Sequence, residues 1–162
     1  MDANERNQLI EAYRTAFDEF EQALASIPQE AWQFRPAPGE WSVHEVIIHL
    51  ADSETNSYLR ARRLAVDPEL PLMAYDQDAW AAKLDYHSQD TDTALALTRL
   101  ARAATYDFIK DLPDEVWAHV GVHPEYKDPY TFERWLSIYA NHPRQHTEQI
   151  LNNYAAWQAG QE

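Results

Sequence analysis

Two histidines near the end of the chain, His142 and His146, have the spacing that chemistry at a metal ion would need. Positions i and i+4 of an α-helix are about 40° apart around the axis, so both imidazoles would share one face. The same face carries large apolar side chains: Trp135, Ile138, Tyr139, Ile150 and Trp157. Two inward imidazoles one turn apart indicate shared coordination of an ion, although buried histidines also occur as hydrogen-bonded core residues.

A third histidine, His49, lies in an earlier helical segment. Ser42 is a good N-cap, and Glu45 three residues later completes a capping box that begins this helix. His49 lies about 100° from the middle of the apolar stripe, on the flank of the buried face, from which it can reach a neighbouring helix. Three neutral imidazoles on one divalent ion leave positions for water or substrate, which is the pattern of catalytic metal sites.

Four long amphipathic segments would position these histidines. The predicted helices cover residues 5–26, 42–65, 91–111 and 131–157. Thr91 is the expected N-cap of the third helix, whose inner face is predicted to carry Ala94, Leu97, Leu100, Ala101, Ala104 and Phe108. A short helical piece is expected at 76–84 and a short extended piece at 116–122. The pattern predicts an all-α protein, a four-helix bundle with long inter-helix connections, as a single domain over residues 1–162.

Composition excludes several classes of protein. The chain has 162 residues, no cysteine and a formal net charge of −14. The lack of thiols rules out disulfides, thiolate metal sites and a cysteine nucleophile, and it fits a cytoplasmic location. The negative charge argues against nucleic acid as a partner, because the phosphates would be repelled. No segment approaches the ~20 apolar residues of a membrane span, and residues 1–6 show no signal-peptide pattern.

Two carboxylates near His49, Asp52 and Glu45, are candidates for a catalytic role. Asp52 follows His49 by three residues and Glu45 precedes it by four, so each lies on a neighbouring face of the same helix. Either would orient His49 through its free ring nitrogen, as metal-bound histidines require, or act as a general acid or base. Both also fit ordinary surface charges, and the sequence does not choose between these readings.

The remaining histidines fit a metal site less well. His44 precedes His49 by five residues and is expected to be exposed on another side of the helix. His87 lies in a predicted loop, as a solvated residue or as a fourth ligand or substrate contact. His119 and His123 fall in the irregular segment before the last helix, where they would line the mouth of the pocket or, as expected for both, be solvated loop residues.

Three stretches in a fixed order form a recognisable motif. Residues 35–43 (RPAPGEWSV) lead into 46–53 (VIIHLADS), residues 75–80 are YDQDAW, and residues 142–146 are HPRQH. From about residue 32 to residue 150, the chain resembles the DinB/YfiT-like superfamily.

The resemblance implies a four-helix bundle that carries a divalent metal, usually zinc or nickel, on three histidines. By position these are His49, His142 and His146. Members of the superfamily include metal-dependent hydrolases and enzymes that use low-molecular-weight thiols. The resemblance therefore implies a small-molecule substrate as the partner, and a low-molecular-weight thiol is one such substrate.

Two residues depart from the family pattern. Pro143 directly follows the first histidine of the pair, where it removes a helical hydrogen bond and crowds residue 139, so a kink or a π-bulge is expected. Gln145 stands where relatives often carry another histidine, which removes a group that would support the ligands.

Two hypotheses of function follow. The first is a metal-dependent enzyme, a hydrolase or a low-molecular-weight-thiol transferase, whose three-histidine site keeps a position open for water or substrate. The second is a non-catalytic member of the superfamily that serves as a metal-binding or stress-related scaffold. A homodimer through the bundle faces is compatible with helices this rich in aromatic residues.

Overall fold

A computed structural model describes residues 1–161 of the chain, and helices dominate this part. Its six α-helices are α1 (Ala3–Leu24), α2 (Val43–Val66), α3 (Gln77–Lys83), α4 (Thr91–Ile109), α5 (Asp114–Trp117) and α6 (Phe132–Ala159). The two strands, β1 (Val120–Gly121) and β2 (Tyr130–Thr131), form one antiparallel pair. None of these helices combines the length and the apolar character that crossing a bilayer requires.

The four long helices form the predicted four-helix bundle. Helix α1 packs against α6 and α2 packs against α4, while α2 also contacts α6. The core between them has an end rich in aliphatic residues and phenylalanine and an end rich in tyrosine and tryptophan. Helices α3 and α5 lie in the connections between the long helices.

Helix starts follow local capping chemistry. The predicted capping box of α2 is present, with the Ser42 side chain accepting from the Glu45 backbone and the Glu45 side chain accepting from the Ser42 backbone. The predicted cap of α4 is wrong by one residue. The N-cap is Asp90, whose carboxylate accepts from the Thr93 backbone, and Thr91 is the first helical residue.

The buried face of α4 also differs from the prediction. Leu97 and Leu100 point outward, and Leu100 is 68% exposed. The predicted burial of Ala94 and Ala101 is confirmed, but the rest of the buried stripe consists of Thr98, Arg102, Thr105 and Ile109. Small side chains allow α4 to lie close to α2, and this packing brings Arg102 into the interior.

The segment between α4 and α6 is only partly extended. The expectation of an extended piece over residues 116–122 is wrong at its start, because α5 covers Asp114–Trp117 and only Val120–Gly121 form a strand. A Cβ atom at Gly121 would lie 2.5 Å from Leu64 Cδ2, so this strand packs tightly against the end of α2. The strand pair leads directly into α6, whose first turn is capped by Thr131.

Candidate metal centre

Three histidines from two helices converge on one point inside the bundle. His49 comes from α2, and His142 and His146 come from α6. The ring centroids of His49 lie 5.4 Å from His142 and 4.9 Å from His146, and the latter two rings are 4.6 Å apart. One potential ligand atom from each ring lies within 4.8 Å of the other two. A single ion is therefore within reach of all three imidazoles.

Hydrogen-bond partners orient the two histidines of α6. Nδ1 of His142 lies 3.4 Å from Glu54 Oε1, and Nδ1 of His146 lies 2.8 Å from Gln149 Oε1. Both partners are acceptors, so a neutral imidazole at either position would carry its proton on Nδ1 and present a lone pair on Nε2. The two Nε2 atoms face each other at 3.1 Å.

This arrangement fits a metal ion. Two facing lone pairs repel each other unless a cation lies between them. Two nitrogens bound to one ion at about 2.0–2.1 Å, at angles near 90–110°, would lie roughly 2.9–3.4 Å apart. The observed separation of the two Nε2 atoms, 3.1 Å, falls within that range.

His49 completes the cluster from the opposite helix. The residue is 2% exposed, its buried Nδ1 has no hydrogen-bond partner among the described residues, and the Trp41 ring lies 4.7 Å away. Burial first, and then the neighbouring His142 and His146, lower the pKa of His49 to about 2. A buried imidazole that stays neutral and unpartnered is a suitable metal ligand.

A buried carboxylate that sequence reasoning did not single out, Glu54, supports the cluster. It is fully buried, accepts from Arg102 Nη1 at 2.8 Å and lies next to His142. Burial alone would raise the pKa of this carboxyl, but the charge of Arg102 and the contact with His142 hold it below its usual value. Its burial could have been inferred from the sequence, because Glu54 follows Leu50 by four residues and so falls on the apolar stripe of α2.

Pro143 has a structural role in the same network. Helix α6 continues through Pro143 as α-helix, so the predicted π-bulge is absent from this part of the described chain. Proline has no N–H to donate to the carbonyl of Tyr139, four residues earlier. Arg102 Nη1 donates to that carbonyl at 3.2 Å. The hydrogen bond that proline removes is thus replaced by a buried guanidinium from α4.

The histidine cluster opens into a cleft of about 470 Å³. Its walls include His49, His142, Arg60, Tyr75 and Tyr139. A small molecule in this cleft would contact the cluster directly, which is what an open ligand position requires.

Neither Glu45 nor Asp52 orients His49, which was one of the roles that the sequence left open for them. Glu45 Oε2 accepts from Arg35 Nε at 2.9 Å and lies 3.1 Å from His87 Nε2. Asp52 accepts a 2.5 Å hydrogen bond from Tyr86. Neither carboxylate is among the residues that line the cleft. Helical spacing placed them beside His49, but each turns to a partner from another segment.

His44 and His87 lie together outside the cluster. His44 is half-buried rather than exposed, with its ring nitrogens 2.9 Å from Gln33 Nε2 and 2.9 Å from the Gln89 carbonyl. His87 sits in a short 3-10 turn, and its contact with Glu45 takes it away from the fourth-ligand position.

His119 and His123 are not solvated loop residues. His123 is buried between Tyr126 and Tyr130, with ring centroids 4.7 Å and 4.9 Å away. Nδ1 of His119 lies 2.9 Å from the Leu64 carbonyl. Both residues therefore fix the segment that precedes α6.

The limited solvent exposure of two candidate ligands, His49 and His146, predicts a pH dependence of the metal-free protein. Burial, followed by the charge of His142, lowers the pKa of His146 to about 4, and His49 is lowered to about 2. Both groups stay neutral in the folded state while the unfolded chain takes up protons below about pH 6.5. Their stabilising effect is therefore present above pH 6.5 and is lost as the pH falls.

We expect metal-free protein to lose roughly 2–3 kcal/mol of unfolding free energy between pH 7 and pH 5.5, about half from each histidine. Urea denaturation at the two values measures it. His146→Gln should show about half of the wild-type loss, and an equal loss in both proteins would contradict this assignment.

The fold and the histidine cluster define a helical-bundle protein with a candidate site for one metal ion. A sequence model of the DinB superfamily matches residues 12–150, and the chain belongs to that superfamily. Over 122 residues it is 33% identical to a protein of Bacillus subtilis (strain 168) named "Putative metal-dependent hydrolase YfiT", covering 74% of this chain and 68% of YfiT. A Bacillus licheniformis protein with the same kind of name is 28% identical over 129 residues, 79% of this chain and 73% of the relative.

Solved structures support the same fold. The structure of Bacillus subtilis YfiT, described as an unusual four-helix bundle, matches with a TM-score of 0.86 at 24% identity over 94% of this chain and 87% of YfiT. A mycothiol-dependent maleylpyruvate isomerase matches with a TM-score of 0.72 at 12% identity, over 93% of this chain and 61% of the isomerase. At these identities the likeness concerns the fold alone.

Proposed function

We propose that this chain is a metal-dependent enzyme in which His49, His142 and His146 bind one divalent ion, zinc or nickel. The observation that carries the proposal is the convergence of three potential ligand atoms within 4.8 Å, with the Nε2 atoms of His142 and His146 3.1 Å apart. Neutral imidazoles suit both metals. Three protein ligands leave room for water or substrate, which favours an enzyme over the non-catalytic scaffold.

Different residues of the chain would orient the ligands, cover His49 and admit the substrate at this site. Glu54 holds the proton of His142 on Nδ1, and Gln149 does the same for His146, so both Nε2 atoms are available as ligands. The bound ion would supply Lewis acidity toward a substrate oxygen or sulfur. Trp41 covers one side of His49, and the cleft admits substrate on the other.

The proposed reaction is hydrolysis or transfer of a low-molecular-weight thiol to a small-molecule substrate. The names of the bacillary relatives support hydrolysis. The thiol-dependent isomerase with the same fold supports the thiol reaction. A single domain, a cytoplasmic location, a homodimer and the lack of a nucleic-acid partner stay predictions from the sequence.

Metal analysis of protein purified without added metal tests the proposal. We expect about one equivalent of zinc or nickel for each chain, lost on chelation and restored by either ion. Turnover of ester, amide and thiol-transfer substrates should follow the metal content. Protein that carries less than about a tenth of an equivalent, and that binds neither zinc nor nickel on titration, would overturn the proposal.

A further inference from the structure

Arg60 places a buried positive charge in the same cleft as the histidine cluster. The residue is 9% exposed and lies on α2, eleven residues after His49. Eleven residues are slightly more than three turns of an α-helix, so the two positions differ by only about 20° around the axis. Arg60 and His49 therefore lie on the same face of α2, and both line the cleft.

The guanidinium is held in place but keeps donors free. Arg60 Nε and Nη2 donate to the Met73 carbonyl at 3.1 Å and 2.5 Å, and Nη1 donates to the Tyr139 hydroxyl at 2.9 Å. These three bonds use three of the five N–H groups of a guanidinium. One N–H group on each terminal nitrogen remains, and paired N–H groups are the donors that bind a carboxylate through two parallel hydrogen bonds.

No carboxylate of the described chain neutralises this charge. Among residues 1–161, the other buried arginine, Arg102, forms an ion pair with Glu54, but Arg60 forms no ion pair. Its partners are a carbonyl and a phenol. His123 stays neutral nearby, because burial lowers its pKa and the charge of Arg60 lowers it further. A buried cation without an anion is costly unless a ligand supplies one.

We infer that Arg60 binds a carboxylate of the substrate, which rests on the proposed function for the reacting group at the histidines. Tyr139 links the two places, since its hydroxyl accepts from Arg60 and its ring lies 5.8 Å from the His142 ring. The Cβ bonds of α2 tilt toward the N-terminus of the helix, which directs the Arg60 side chain toward His49. The substrate is thus a small carboxylic acid whose reacting group is several bonds from the carboxylate.

Two acids at the rim of the cleft do not occupy the Arg60 site. Asp76 is exposed, and its carboxylate accepts from the Ala79 backbone as the N-cap of α3. Glu125 is exposed on the loop between β1 and β2. Water screens both charges, whereas the buried guanidinium is screened much less.

Titration of the full chain with butyrate, followed by the amide and arginine Nε–H resonances, tests the inference. Butyramide serves as the neutral analogue of the same shape and inorganic phosphate as the alternative anion. We expect butyrate to cause saturable shifts at Arg60 in the wild type. In Arg60→Met, the amide resonances should report an affinity for butyrate that is about ten- to a hundredfold lower. Arg60→Lys keeps the charge without the paired donors, so it should weaken binding about tenfold. Arg63→Met is the same change three residues further along α2, at a position that does not line the cleft, and it should leave binding unchanged.

Three outcomes would overturn the inference: equal binding of butyrate by the wild type and both Arg60 variants, equal binding of butyramide, or tighter binding of inorganic phosphate than of butyrate. Each titration is repeated on His146→Ala, whose metal content is measured in the same sample. Binding that depends on Arg60 in that variant supports the inference even where the metal proposal fails. A metal-loaded wild type without such binding removes the inference and leaves the metal proposal intact.

Discussion

Replacing His146 by alanine is expected to weaken zinc or nickel binding by more than about a hundredfold. Loss of a supporting residue around a metal ligand already costs about 10- to 100-fold, and His146 is proposed to be a ligand itself. His146 is a cleaner target than His142, because His142 contacts the buried Glu54 and precedes Pro143. Competition with a chromophoric chelator measures the affinity, and metal analysis gives the stoichiometry.

Gln145→Ala is the matched control for this experiment. Gln145 precedes His146 on α6 and its side chain is exposed, so its removal changes the same helix without touching the cluster. The control should bind metal as the wild type does. Metal binding by His146→Ala within about threefold of the control would contradict the proposed ligand set, since a two-histidine site cannot match a three-histidine one.

Replacing Arg102 by methionine is expected to destabilise the metal-free protein by about 3–5 kcal/mol. The variant leaves the fully buried Glu54 without its ion pair, which measures 2.8 Å between Arg102 Nη1 and Oε1. It also leaves the Tyr139 carbonyl, freed by Pro143, without the donor that replaces the missing N–H. Urea denaturation at pH 7 gives the change in unfolding free energy.

The double variant Arg102→Met/Glu54→Gln distinguishes the cost of leaving one buried charge unpaired from the loss of the ion pair itself. It removes both buried charges, so it should recover a large share of the stability that Arg102→Met loses. Glu54→Gln alone should weaken metal binding about 10- to 100-fold, because a neutral amide supports the Nδ1 proton of His142 less strongly than a carboxylate does.

Arg99→Met on the same helix is the control for the charge change. Its partner is Glu21 on the surface, where an ion pair contributes about 0–1 kcal/mol. Arg102→Met should therefore be several times more destabilising than Arg99→Met. Equal effects of the two substitutions would mean that the buried pair adds no more than a surface pair does.

Structural features that depend only on residues close in the chain were predictable from the sequence. The capping box at Ser42 and Glu45, the four long helices, and the placement of His142 and His146 on one face all follow from local spacing. These features were correct because a helix brings residues three and four apart together, wherever the helix lies in the fold.

Residues whose role depends on another segment could not be assigned from spacing. Helical spacing placed Glu45 and Asp52 beside His49 and left their role open, and their partners are Arg35 and Tyr86. On the inner face of α4, Ala94 and Ala101 were predicted correctly, but Leu97 and Leu100 were not, because the packing against α2 buries Thr98 and Arg102. Periodicity shows that a helix has two faces, but it does not show which neighbour one face meets.

The sequence by itself determined an all-α bundle and two imidazoles with one helical turn between them, because both follow from contacts within a few residues. Only the tertiary structure decided that Glu54, rather than Glu45 or Asp52, contacts the histidine cluster, and that Arg60 shares the cleft. The physical reason is distance along the chain: the contact of Glu54 with His142 joins residues 88 positions apart. Such a contact forms only when packing, and not local geometry, brings the two helices together.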